Sequence, residues 1–180
     1  RYASFQVVSI VTTTGFVTAD YELWPAYGQV VLFFLMFVGG SAGSTGGSIK
    51  CLRILLIFKH SSMELYRLVH PHAVSAVKLG KRIVYPETMA SIWGFFILYL
   101  SMTVTATILL LLFGLDPLTA FSSVAATMGN VGPGFGLVNP SSTYADLPGP
   151  VKGILSFCMI AGRLEIYTIL VLLTPEFWKK

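Results

Sequence analysis

The sequence predicts an all-α polytopic membrane protein made of membrane helix–pore loop–membrane helix repeats, with one broken helix. Three observations carry this. Charged residues make up 11% of the 180 residues and hydrophobic ones 54%, whereas a soluble domain usually needs about 25% charged residues to cover its surface. Two runs of 26 residues, Trp24 to Ile49 and Thr88 to Phe113, contain no charge, and a bilayer core is crossed by about 20 apolar helical residues. Finally, one order of elements occurs twice: a short helix, a glycine-bearing turn, an acidic loop and a long apolar run.

Tyr2 to Val11 is too short to span and is predicted to be a re-entrant helix, followed by the turn Thr12-Thr13-Thr14-Gly15-Phe16. After a loop with Asp20 and Glu22, an apolar run from Val30 to Val38 leads into ten small residues, Gly39-Gly40-Ser41-Ala42-Gly43-Ser44-Thr45-Gly46-Gly47-Ser48, and apolar helix resumes from Ile49 to Phe58. Each Gly in a helix costs about 1 kcal/mol relative to Ala, so this stretch breaks the helix. Two GxxxG pairs, Gly39/Gly43 and Gly43/Gly47, are also compatible with helix packing, but packing does not account for ten small residues in succession. A phosphate loop is excluded, because Gly47-Ser48-Ile49-Lys50 lacks the Gly-Lys-Ser/Thr order. Thr88 to Phe113 is a full span. Asp116 as N-cap and Pro117 at the first helical position open a second short helix ending at Met128. The turn Gly129-Asn130-Val131-Gly132-Pro133-Gly134, a loop with Asp146 and a third span from Pro150 to Leu173 follow, with Arg163 and Glu165 near the middle of the span.

The net charge of +4 is concentrated in one segment. Lys50, Arg53, Lys59, Arg67, Lys78, Lys81 and Arg82 face only Glu64 and Glu87 there, while the loops around Asp20, Glu22 and Asp146 carry no Lys or Arg. The positive-inside rule places the 59–87 loop and the Lys179-Lys180 tail in the cytoplasm and the acidic loops outside. Arg67, Lys78, Lys81 and Arg82 suit lipid headgroups or a cytosolic subunit. His60, His70 and His72, with Cys51 and Cys158, show no zinc-ligand spacing. The chain opens on Arg1 without a signal peptide, and a preceding N-terminal part is expected.

Glycines let successive carbonyls face one axis, and a ring of carbonyl oxygens replaces the water around a monovalent cation. A short helix ending at mid-membrane adds about half a negative charge there. Arg163 costs about 2.5–3.5 kcal/mol at mid-helix and therefore faces a partner or water. Glu165, two residues away, is on a different helix face and pairs poorly.

The two turns and the stretch from Gly39 to Lys50 resemble the TrkH/TrkG/KtrB superfamily of bacterial potassium-uptake transporters, and Asn130-Val131-Gly132-Pro133-Gly134 is closest to the TrkH branch. The resemblance covers the whole chain and implies the C-terminal half: the pore loop and second helix of a third repeat, over residues 1–58, and a complete fourth repeat over 88–175, joined by the basic loop 59–87 and followed by a tail at 176–180. It implies a potassium selectivity filter at Thr13, Thr14, Gly15 and Phe16 with Asn130, Val131, Gly132 and Pro133. It also implies a gate at Gly39 through Ser48 and a cation barrier at Arg163. Potassium is the only metal implied, as cargo, with no cofactor and no enzymatic site. A homodimer in the inner membrane, on cytosolic nucleotide-binding subunits of the TrkA/KtrA type, is also implied. An ion-coupled carrier with discontinuous helices remains a second reading.

Overall fold

The computed structural model describes the chain except His72, Val74, Ser75, Lys81, Glu165 and Lys180, together with the side chains of Leu170 and Leu173. The expectations placed on His72, Lys81, Glu165 and Lys180 therefore lie outside the described residues. Among the described residues the α-helices are, in order, α1 (Tyr2–Val11), α2 (Ala26–Leu35), α3 (Cys51–Val69), α4 (Pro86–Leu112), α5 (Pro117–Met128), α6 (Gly149–Arg163), α7 (Ile166–Leu173) and α8 (Pro175–Trp178). Helices α1 to α3 form a first unit and α4 to α7 a second.

Among the described residues, α4 is the one helix long and apolar enough to cross a membrane. Its buried residues Met89, Ile92, Phe95, Tyr99, Thr103, Ala106 and Leu110 recur every three or four positions. The stripe packs on α5 and α6 from Phe95 to Leu110 and on α3 through Met89 and Ile92, while Ile97, Val104, Ile108 and Leu112 point outward. Helix α5 is buried almost throughout between α4 and α6, as non-spanning backbone at membrane depth must be. Its polar residues allow this because they are bonded: the Ser123 hydroxyl donates to the Ala120 carbonyl at 3.0 Å and Thr127 to Ser123 at 2.7 Å within the helix, while Ser122 donates to the Phe135 carbonyl at 2.9 Å and Thr119 accepts from the Leu137 N–H at 3.0 Å.

The short helices fall where the sequence places them, but other segments differ. Helix α3 crosses the expected border at 58/59 and runs to Val69. Its apolar face, through Leu56, packs on Val77, Met89 and Ile92, and its polar face carries the Arg67–Glu64 pair at 2.9 Å. Within the basic segment, Lys78–Leu79 (β1) and Arg82–Ile83 (β2) form a small antiparallel hairpin. The expected span 150–173 is interrupted: α6 stops at Arg163 and α7 starts at Ile166. The tail begins as α8, one residue before 176.

The Asp116 carboxylate caps α5 by accepting from the Thr119 N–H at 3.0 Å. Hydrogen bonding from Thr119, side chain first and then backbone, holds this carboxyl below its ordinary value. A lowered folded-state value means that the contribution is complete above the unfolded value of about 3.9 and is lost as pH falls through the folded one. Asp116→Ala is expected to cost roughly 0.5–2 kcal/mol at neutral pH, and the gap to the parent to close in acid, read by thermal unfolding in detergent.

Candidate ion pathway

The two turns are built alike. Thr13 (φ 55°) and Gly15 (φ 74°) are left-handed in the first, Asn130 (φ 53°) and Gly132 (φ 108°) in the second. The Thr13 N–H bonds the Ile10 carbonyl and Thr14 that of Ser9; likewise Asn130 bonds Thr127 and Val131 bonds Ala126. These bonds share one residue offset, which sets Ala3 opposite Ala120. Pairing Ala3-Ser4-Phe5 with Thr119-Ala120-Phe121, as the letters suggest, is one residue out of register. Alternation of left-handed and ordinary residues turns successive carbonyls to one side. Among the described residues, no donor reaches the carbonyls of Thr13, Thr14, Gly15, Asn130 or Val131. Two other expected filter carbonyls are occupied: Phe16 accepts from the Ser9 hydroxyl at 2.7 Å, and Gly132 from the Tyr144 hydroxyl at 2.6 Å. The turns also touch, since a Cβ on Gly15 would run into the Val131 carbonyl.

The acidic loop of the first unit holds the turn of the second. Glu22 accepts from the Gly136 N–H at 2.7 Å and from Asn139 Nδ2 at 2.6 Å, and Asp20 from the Ser141 hydroxyl at 3.0 Å. Tyr21, fully buried against the Phe135 ring, donates to the Gly134 carbonyl at 2.8 Å. Burial above all, with Tyr144, Asp20 and Glu22 nearby, raises the Tyr21 hydroxyl's pKa; burial pushes that of Tyr144 up to about 12. Both therefore stay protonated donors at neutral pH.

Beneath the turns the inner helix is broken where the small residues predict. After α2, Val38–Gly39 (β3) pairs in parallel with Ile49–Lys50 (β4), and Gly40 to Ser48 loops out between them. The stretch is not helical, so the GxxxG pairs do not act as a helix face. The loop reaches both turns. Gly46 lies beside the Thr13 hydroxyl, and a Cβ on Gly47 would sit 2.7 Å from the carbonyl carbon of Gly129. Ser48, left-handed at φ 58°, donates to the Met36 carbonyl at 2.5 Å and lies 3.3 Å from that of Gly129.

Three successive loop carbonyls accept from cations: Ser44 (2.7 Å) and Gly46 from the Lys50 ammonium, and Thr45 from Arg163. A cavity of about 260 Å³ is lined by Ser44, Gly46, Lys50, Arg53, Phe95 and Arg163, with the Arg53 guanidinium 4.1 Å above the Phe95 ring. Arg163 thus meets the loop expected to be a gate. Gly162 beside it allows α6 to press on the Met128 carbonyl, and Asn130 Nδ2 bonds the Met159 carbonyl at 3.1 Å. Sequence reasoning singled out Arg163 and, within the expected gate, Ser48, but missed Lys50, Tyr21, Glu22 and Tyr144 as parts of the site. For Lys50 the signal was a lone cation ending the small-residue run; for Tyr144, an aromatic beside an acid in a polar loop.

A short helix that stops inside the fold, turns on left-handed residues and returns to a broken inner helix, twice in one chain, defines a pore-loop membrane protein. The whole chain, residues 1–180, matches the family model for TrkH, described as a cation transport protein, and the chain belongs to that family. It is 47% identical over 180 residues to the Trk system potassium uptake protein TrkH of Halomonas elongata, covering 100% of this chain and 37% of that protein. It is 40% identical over 178 residues to the Trk system potassium uptake protein TrkG of Escherichia coli strain K12, covering 99% and 36%. The crystal structure of the potassium transporter TrkH from Vibrio parahaemolyticus superposes with a TM-score of 0.90 at 46% identity, over 98% of this chain and 37% of that one. The chain therefore spans little more than a third of the length of these relatives.

Gly15→Ala and Gly43→Ala separate strain from contact. Both glycines are left-handed, but a Cβ at Gly43 (φ 81°) meets nothing within 4 Å, whereas one at Gly15 collides with the neighbouring turn. The Gly43 variant is expected to lose about 1–2 kcal/mol, the left-handed penalty alone, and the Gly15 variant clearly more, measured as thermal stability of the same preparations.

Proposed function

We propose that this chain supplies part of the pore of a potassium-uptake protein in a bacterial cytoplasmic membrane. The observation that carries the reading is one loop, Gly40 to Ser48, lying under two matched turns and held there by Lys50 and Arg163. In this reading the carbonyls of Thr13, Thr14, Gly15, Asn130 and Val131 replace water around the ion, and Phe16, Gly132 and Pro133 shape the turns around them. The α1 and α5 C-termini add partial negative charge. The loop obstructs the path below, and opening requires its carbonyls to leave the two cations. Arg163 also repels a passing ion: at about 6 Å and an effective dielectric of about 20, two unit charges cost roughly 3 kcal/mol.

Breaks in both inner helices, after α2 and after α6, favour a second reading as an ion-coupled carrier with discontinuous helices. The same-direction arrangement of the two units, each with its turn on the same side, supports the pore more strongly. The names of the relatives support potassium as cargo. The proposal extends to a homodimer resting on cytosolic nucleotide-binding subunits, with α3 beyond Phe58, the 78–83 hairpin and the tail as docking surface, and lipid headgroups around the basic residues.

Radiotracer potassium flux into vesicles holding the full-length protein tests this reading. The parent is expected to carry potassium down its gradient without a second ion. Arg163→Gln is expected to raise the rate several-fold with expression and thermal stability close to the parent. Flux that strictly requires a co-transported ion selects the carrier, and collapse of the Arg163→Gln protein makes the arginine a structural partner of the loop.

A further inference from the structure

The two turns match in backbone conformation but not in what their carbonyls do. Gly15 and Gly132 occupy equivalent places, and both are left-handed. The Gly15 carbonyl has no donor among the described residues, whereas the Gly132 carbonyl accepts from Tyr144 at 2.6 Å. Tyr144 packs against the core that holds Val138, Leu147 and Val151, so its hydroxyl approaches from the protein side. A Cβ on Gly132 would meet nothing within 4 Å, which places open space beside its α-carbon. We propose that Tyr144 withdraws the Gly132 oxygen from the ion path, so that at the level shared by Gly15 and Gly132 only the first of these two units presents a carbonyl.

The sequence supplies what such a withdrawal needs. A peptide whose oxygen turns outward presents its N–H on the opposite side, and an N–H directed at the path repels a cation. The residue after Gly132 is Pro133, which has no N–H. The residue after Gly15 is Phe16, which has one. Turning the Gly132 carbonyl outward therefore leaves an uncharged imide edge, while the same turn at Gly15 would aim a donor at the ion. Burial keeps the Tyr144 hydroxyl protonated, with its pKa pushed up to about 12, so the bond does not titrate near neutral pH. The first unit withholds an oxygen one residue later, where Ser9 takes the Phe16 carbonyl. Ser9 is matched in the second unit by Ala126, which has no hydroxyl. The two turns thus withhold oxygens at different levels, and Tyr144 is a positioning residue for one of them.

The proposal deepens the pore reading and rests on it, and one experiment separates the two. The full-length transporter is reconstituted in vesicles, and initial potassium influx is followed against potassium concentration for the parent, Tyr144→Phe and Pro133→Ala. Tyr144→Phe keeps the ring and frees the carbonyl to face the ion. Its half-saturating concentration is expected to fall about 2- to 10-fold, the factor that one ordinary neutral hydrogen bond represents, with a smaller change in maximal rate. Pro133→Ala restores an N–H toward the path, and its half-saturating concentration is expected to rise. An unchanged or raised half-saturation in a folded Tyr144→Phe protein overturns the proposal. If that variant does not fold, Pro133→Ala decides alone, and an unchanged or lowered value overturns it. A parent that carries no potassium instead removes the pore reading, and the proposal with it.

Discussion

The structure depends on the close approach of three glycines to one stretch of backbone. Gly47 from the loop presses on Gly129 and Gly162 from α6 on Met128, at the end of α5, and Gly129, without a side chain of its own, leaves room there for Ser48 and the Met36 carbonyl. This junction is buried in the fold at the level where the short helices stop. Backbone groups there have no bulk water to bond and need partners from protein or from an ion. Ser48 supplies one donor, shared between the Met36 and Gly129 carbonyls. A methyl group at any of the three glycines would force α2, the loop or α6 away from the turn.

That constraint couples the loop to both turns. One arm reaches the second turn through Gly47 and Ser48, and the tip reaches the first through Gly46 and Thr13. The outer side adds its own coupling, because Tyr21 and Glu22 of the first unit hold Gly134, Gly136 and Asn139 of the second. The turns are therefore fixed from above by neutral and charge-assisted hydrogen bonds and supported from below by a loop held mainly through its carbonyls. The lower attachment, made to two long flexible cations, is the one that can be exchanged for other partners with less disturbance of the packed core.

Much of this was legible in the residues. Asp116-Pro117 marks the start of α5, length and apolarity bound α1 at Tyr2 to Val11, and Gly39 to Ser48 marks the break. What stayed hidden was tertiary. Periodicity carries no mark of how far a helix continues beyond its apolar run, so the border at Phe58 falls short of α3, whose apolar face packs against Val77 and Met89. The end of α6 at Arg163 lies next to the approach of Gly162 to Met128, a contact no local pattern encodes. Tyr21 and Glu22 act on residues more than a hundred positions away. Lys50 reads as the last letter of a motif until its side chain is seen folding back on Ser44 and Gly46.

In the proposed pore the Gly40–Ser48 loop closes the path by sitting beneath the turns. A reversible cross-link tests it most directly. A Cβ on Gly46 would lie 3.2 Å from the Thr13 hydroxyl oxygen, which makes Thr13→Cys with Gly46→Cys the pair to cross-link; a disulfide needs Cβ atoms about 3.5–4.5 Å apart. Potassium flux through the full-length double variant is measured after mild oxidation and again after reduction. Little flux is expected with the loop tied under the turn, and recovery when the bond is reduced. Equal flux in the two states, with the disulfide shown to have formed, would contradict it.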